Sequence, residues 1–323
     1  MHEPTFRQAI SHSWQLVFKK KSLWIFGFLS ALLGQWGLSD FMGLIYKTTN
    51  EGFNLWNPSF IFDFFRAWNW HKVSVILLIL WLFGILLLII ISLIFVAVSA
   101  RGAIISYAIH WYKKGKVIPL HEAWNNGVFS FFPLLSVTFV GRILQFFIAC
   151  LFSLISFRII QDNTLGQNLL VILLATISIF LALLIEATVI YTSGYLMLEK
   201  KSIKKSLVKG WNLLSHHLMV SLELGLVLML FTVLLVGVLV YGSFIAFLPS
   251  LVLLLVAGFT GLKFLIAFAI YSGLAFYIGL VLVFAGIFNA FITCAWMYLF
   301  MKMHHEGVVS RSIHFFKNFF NIS

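Results

Sequence analysis

Long runs of apolar residues, separated by short polar or basic segments, dominate the chain. A helix that crosses the ~30 Å hydrocarbon core of a bilayer needs about 20 apolar residues. The runs predict six transmembrane helices, at residues 23–46, 73–100, 131–157, 168–198, 218–247 and 271–301. The predicted fold class is therefore an all-α integral membrane protein, in which residues 1–323 form a single membrane domain.

Two segments need a separate interpretation. Residues 224–262 contain no charged side chain, and as one helix they would measure about 58 Å, almost twice the bilayer core. We therefore expect a break near Pro249, Gly258 and Gly261, with residues 250–270 re-entrant or interfacial on the outer side; four shorter helices would keep the same topology. Residues 47–71 are rich in Trp and Phe, which is typical of a segment at the headgroup level.

A pattern recurs before three of the predicted outgoing spans. Starting at Phe6, Leu120 and Ile203, apolar or small residues follow at offsets of 3, 4, 7, 8 and 11, the period of one helical face. This predicts three pseudo-repeats, each a short amphipathic helix on the cytoplasmic surface followed by a transmembrane hairpin, at residues 6–113, 120–200 and 203–302, with a cytoplasmic tail at 303–323. Chance similarity between amphipathic helices is the alternative.

Small residues occupy matching positions in the three short helices. They would allow close approach, either to the membrane or to a neighbouring helix. These residues are Ala9, Ser13, Ala123, Gly127, Ser206 and Gly210.

Composition and charge agree with a membrane location. Hydrophobic residues make up 62% of the chain and charged residues only 10%, against about 25% charged in soluble domains. The net charge of +12 is concentrated, because sixteen of the 22 Lys and Arg lie in residues 7–21, 101–116, 200–209 and 302–317. By the positive-inside rule these segments and both termini are cytoplasmic, so the charge indicates topology and anionic headgroups rather than nucleic acid.

One basic segment is the predicted surface for anionic lipid. The alternative is that its lysines only enforce topology. They are Lys200, Lys201, Lys204, Lys205 and Lys209.

Three charged residues fall inside predicted spans: Arg142, Glu186 and Glu223. Each costs about 2.5–3.5 kcal/mol on insertion scales, so each calls for a physical reason. Arg142 and Glu186 lie roughly 16–18 Å from the inner ends of adjacent antiparallel helices and could form an ion pair. One interpretation is a buried pair that locks the helices together; the other is a polar cavity or ion pathway that also involves Gln145 and Glu223.

Other reactive side chains do not form recognisable motifs. Cys150 and Cys294 fall within predicted spans, where cysteine more often packs than reacts. The histidines at 216–217 and 304–305 are adjacent pairs without the i, i+4 spacing of helical metal sites. Phosphate loops, dinucleotide fingerprints and nucleophile elbows are also missing from the sequence. We therefore predict no catalytic residue, cofactor or metal, and expect the protein not to be an enzyme.

Three stretches carry a resemblance to a known group. They are "SWQLVFKKKSLWIFGFL" near the start, "RGAIISYAIHWYKKGK" followed by "LHEAWNNG", and "GYLMLEKKSIKKSLVKGWNLL". The chain resembles poorly characterised prokaryotic membrane proteins related to the membrane domain of some glycerophosphodiester phosphodiesterases and to the YciC-like proteins. The resemblance implies a six-helix membrane protein without a catalytic domain.

Two functions remain open at this point. The leading expectation is a non-enzymatic protein of the cytoplasmic membrane that organises the membrane or envelope, or supports a larger complex through a protein partner or a second copy. The alternative is a small permease or channel with a polar pathway around Arg142, Glu186 and Glu223.

Overall fold

The computed structural model describes residues 5–31, 73–115, 118–159, 165–199 and 202–305. All regular structure in these residues is α-helical, as the apolar pattern predicts. The helices are α1 (Thr5–Lys19), α2 (Ser22–Ala31), α3 (Val73–Lys114), α4 (Leu120–Phe129), α5 (Phe131–Ile159), α6 (Leu165–Glu199), α7 (Ile203–His216), α8 (Leu218–Thr260) and α9 (Lys263–His305).

Five of these helices, α3, α5, α6, α8 and α9, are long and apolar enough to cross a membrane. The prediction of an all-α, multi-pass membrane protein is confirmed at this level. The first predicted span, residues 23–46, is described only as far as the ten-residue apolar helix α2. The remainder of that span, residues 47–71 and most of the predicted tail lie outside the described residues.

The predicted break is present at Gly261, but it is wrong for Pro249 and Gly258, because α8 continues through both residues as one 43-residue helix. Proline lacks one backbone donor, yet apolar membrane helices tolerate it where other contacts hold the helix. The chain turns only at Gly261, whose φ of 69° is left-handed and whose amide donates to the carbonyl of Ala257. Residues 250–270 are therefore not a separate re-entrant or interfacial segment; they form the end of α8, the turn and the start of α9.

The packed core lies towards one end of the long helices. Buried side chains concentrate at residues 97–109 of α3, 182–196 of α6 and 289–303 of α9. The other ends of these helices carry mainly exposed apolar side chains, at residues 76–95, 165–181 and 264–284. The two kinds of surface meet partway along each helix.

The short helices α1, α4 and α7 begin within one residue of the predicted positions. All six predicted small residues are buried. Of the two predicted alternatives, they therefore approach a neighbouring helix and not the membrane. A methyl group at Gly210 would lie 2.7 Å from Oγ1 of Thr192 on α6. A methyl at Gly127 would collide with the carbonyl oxygen of Ser99 on α3. Thus α4 and α7 each pack on the long helix that precedes them.

Helix α1 packs instead on α9, at the other end of the described chain. Gln8 accepts hydrogen bonds from the Tyr298 hydroxyl, at 3.4 Å, and from the Lys302 ammonium group. The ring of His12 stacks on that of Tyr298 with 5.0 Å between centroids. These contacts join the first and last described helices, so both ends of the described chain are part of the packed core.

Candidate functional site

A cluster of charged and polar side chains joins α3, α5 and α6 around Glu186. Glu186 Oε1 lies 3.7 Å from a terminal guanidinium nitrogen of Arg101 on α3. Its other oxygen accepts a hydrogen bond of 3.1 Å from Nε2 of Gln145 on α5. Gln145 Oε1 in turn accepts from the guanidinium of Arg142 at 3.4 Å. The predicted partners Arg142 and Glu186 are therefore brought into one cluster, with Gln145 bonded to both.

The predicted site does not include Arg101, because the sequence analysis ended the second span at residue 100 and placed Arg101 in the basic segment that follows. Instead, α3 continues to Lys114 and Arg101 is 4% exposed. Its guanidinium also donates to the Thr138 hydroxyl at 3.4 Å. A signal was present in the sequence, because an apolar, mostly uncharged run follows Arg101 as far as Lys113.

Burial falls from one side of the cluster to the other. Arg101 is 4% exposed and Gln145 is 6% exposed. The side chain of Glu186 is 25% exposed, and Arg142 is half-buried. The Gln145 amide additionally lies 3.4 Å from the carbonyl oxygen of Ala182, so it is held from two directions. The cluster is closed at Arg101 and Gln145 and more open at Glu186 and Arg142.

Glu223, the third predicted intramembrane charge, lies half-buried on α8, near the start of that helix. The hydrogen bonds and the ion pair that build the cluster come from α3, α5 and α6. The buried polar contact described near Glu223 is a 2.8 Å hydrogen bond between the hydroxyls of Tyr191 and Ser221. This bond ties α6 to α8.

The predicted lipid surface on α7 divides into two parts. Lys204 and Lys205 are exposed. The ammonium group of Lys209 is instead bound to the carboxylate of Glu199, at 2.6 and 2.9 Å, and lies 5.6 Å from the ring centroid of Tyr195. Lys200 and Lys201 lie outside the described residues. Of the three lysines of this surface that the structure describes, Lys204 and Lys205 are exposed, and Lys209 is held by Glu199.

In the part of the chain that the structure describes, no three His, Cys, Asp or Glu side chains lie close enough together to hold a metal ion. Cys294 is buried on α9 and Cys150 is half-buried on α5, and both are free thiols. The cluster around Glu186 stabilises charged side chains by pairing them, and it links α3, α5 and α6.

Comparisons of the chain with protein-family models, with curated proteins and with solved structures gave no match.

Proposed function

We propose that this chain is a non-enzymatic integral protein of a prokaryotic cytoplasmic membrane, acting in membrane or envelope organisation or as a subunit of a larger membrane complex. The observation that carries the proposal is the internal pairing of Glu186. Its carboxylate is bound by Arg101 and Gln145, which come from two other helices. A carboxylate held in this way serves as a lock between helices.

The pairing of Glu186 stabilises the helix arrangement because an unpaired charge is costly in an apolar environment. Removing one partner of a buried ion pair costs about 3–5 kcal/mol, because the remaining charge is then uncompensated. A carrier for ions or polar solutes needs a carboxylate that exchanges partners during each cycle. The contacts of Glu186 favour a fixed arrangement, with α3, α5 and α6 held in one geometry.

The finer architecture belongs to the same proposal. We take the three short helices to lie at the cytoplasmic face, with both termini inside and three pseudo-repeats of short helix plus hairpin. Exposed Trp14 and Trp211, each 53% exposed, are suited to the headgroup region. Exposed Lys204 and Lys205 are suited to anionic lipid. Membership of the group related to the phosphodiesterase membrane domain remains a prediction.

The test compares Glu186→Gln with the unmodified protein in liposomes loaded with pH-sensitive and chloride-sensitive dyes. As a structural protein, the chain should give no ion leak above that of empty liposomes, and Glu186→Gln should lower its stability. The permease alternative requires a leak through the unmodified protein that Glu186→Gln abolishes while the protein stays folded. Ser215→Ala, an exposed site on α7, provides a matched control.

A further inference from the structure

We propose that Arg7 on α1 and Lys204 on α7 bind the phosphate groups of anionic lipids in the inner leaflet, each on the side of its helix that carries an exposed tryptophan. The inference rests on the proposed function, because it takes the short helices to lie at the cytoplasmic face. It assigns lipid binding to one side of each helix and adds Arg7, which lies outside the predicted lipid surface.

Helix α1 lies across α9 with a defined orientation. The Trp14 ring packs edge-on against that of Phe291, with 5.8 Å between centroids. On the opposite side of α1, the ring of His12 stacks on Tyr298, about two turns closer to the end of α9. The exposed apolar stretch of α9, residues 264–284, precedes Phe291. Trp14 therefore faces the exposed apolar stretch, and His12 faces the inner end of α9.

Helix α7 lies across α6 in the same orientation. Gly210 packs on α6, and Lys209, the residue before it, binds the carboxylate of Glu199 at the end of α6. Side chains two positions apart on a helix point to nearly opposite sides. Trp211, the residue after Gly210, therefore points away from Glu199 and towards the exposed apolar stretch of α6, residues 165–181.

The sides of α1 and α7 that face the apolar stretches match position by position. Trp14 and Trp211 each follow a buried small residue directly, and each is 53% exposed. Two turns before them, on the same side, stand Arg7 and Lys204, which are both exposed. Tryptophan together with Arg or Lys is typical of the headgroup level. Helix α4 has a valine and a histidine at the matching positions, so the proposal is limited to α1 and α7.

The contacts of α1 and α7 lie about one bilayer thickness from the starts of the long helices. At 1.5 Å per residue, Thr192, where α7 packs, is about 40 Å from the start of α6 at Leu165. Phe291, where α1 packs, is about 42 Å from the start of α9 at Lys263. A bilayer with its headgroup regions is about 40–45 Å thick. Both contacts therefore lie at one membrane surface when the starts of α6 and α9 lie at the other.

Lys205 provides a matched comparison within α7. It follows Lys204 directly and is also exposed. It stands one turn before Lys209, however, on the side of α7 that faces the inner end of α6. A charge on that side points from the membrane into the cytoplasm. Lys204 stands on the side of Trp211, where a long side chain extends its charged end to the phosphate groups.

The experiment measures binding of phosphatidylglycerol to the purified full-length protein by native mass spectrometry, with phosphatidylcholine as the neutral comparison. One basic residue near the surface contributes an amount that corresponds to about a fivefold change in affinity for anionic lipid. We expect two phosphatidylglycerol sites in the unmodified protein. Arg7→Gln and Lys204→Gln should each weaken one site about fivefold, and the combined variant should weaken both. Lys205→Gln should leave both sites nearly unchanged, and phosphatidylcholine binding should not change in any variant.

Three results of this measurement would overturn the proposal. Unchanged binding in Arg7→Gln or in Lys204→Gln would do so and would leave that face to a protein partner. An equal loss in Lys205→Gln would show a general effect of charge. Displacement of the lipid by millimolar inorganic phosphate would identify free phosphate as the ligand.

A second measurement tests the orientation of α7 independently of affinity. In liposomes, with Cys150→Ala and Cys294→Ala as background, a water-soluble maleimide should label Lys205→Cys faster than Leu207→Cys, which lies on the side of Trp211. Equal rates, or faster labelling of Leu207→Cys, would contradict the orientation. Since ion leak is a separate readout from lipid affinity and labelling, failure of this inference is distinguishable from failure of the proposed function.

Discussion

Breaking the ion pair between Arg101 and Glu186 should destabilise the fold more than removing both charges. At 3.7 Å and an effective dielectric constant of ~20, two unit charges attract by about 4.5 kcal/mol. The 25% exposure of the Glu186 side chain and the nearby Arg142 reduce this value. We therefore expect Arg101→Gln to lower the free energy of unfolding by about 3 kcal/mol, within the range for a broken buried pair.

The assay is a double-mutant cycle with Arg101→Gln, Glu186→Gln and the combined variant. Unfolding would be followed by circular dichroism as sodium dodecyl sulfate is added to mixed micelles. Neutral replacement of both partners removes both charges of this pair, so the combined variant should regain most of the loss, with a coupling energy of about 2–4 kcal/mol. A coupling energy below about 1 kcal/mol, the level of exposed surface pairs, would refute the argument that this pair locks α3 to α6.

Two further predictions use matched controls from the same chain. Gly210→Ala places a methyl group 2.7 Å from the Thr192 hydroxyl oxygen and should lower the free energy of unfolding by about 1–3 kcal/mol through overpacking. The control is Gly237→Ala, where nothing lies within 4 Å of the added methyl, and it should cost nothing in the same micelle titration. Equal effects of the two substitutions would contradict close packing of α7. Tyr191→Phe removes the 2.8 Å hydrogen bond to Ser221. It should lower the free energy of unfolding by roughly 1 kcal/mol, which is measured as a lower thermal midpoint. The hydroxyl of Tyr107 is buried without a hydrogen-bond partner in the described structure, so Tyr107→Phe should be neutral or stabilising, and a larger loss there than at Tyr191 would count against the described bond.

Helix type and the starts of the short helices could be predicted because they depend on local properties of the sequence. A long charge-free run leaves helix as the main way to satisfy backbone hydrogen bonds in lipid. The small residues of α1, α4 and α7 recur at the period of one helical face. The continuity of α8 through Pro249 could not be predicted in this way, because the presence of proline alone does not decide whether a membrane helix ends there.

The charge cluster could be predicted only in part. Arg142 and Glu186 stand out because they interrupt apolar runs, and their spacing from the helix ends brings them to similar levels. Arg101 follows a complete apolar span, so a length criterion of about 20 residues places it outside the membrane. Its burial depends on the packing of α3 against α5 and α6, a tertiary arrangement that hydropathy does not encode.

The central claim is that the cluster fixes α3, α5 and α6 in one geometry and does not line a water-filled pathway. Its most direct test is labelling by a water-soluble maleimide at the buried side of the cluster. In a background with Cys150→Ala and Cys294→Ala, a single cysteine would replace Ala182, which is 0% exposed and whose carbonyl accepts from Gln145. Ser215→Cys on the exposed side of α7 is the reference. We expect Ala182→Cys to stay unlabelled while the protein is folded and Ser215→Cys to react readily. Labelling of Ala182→Cys at the rate of the reference would reveal a water-filled route to the cluster and would contradict the account.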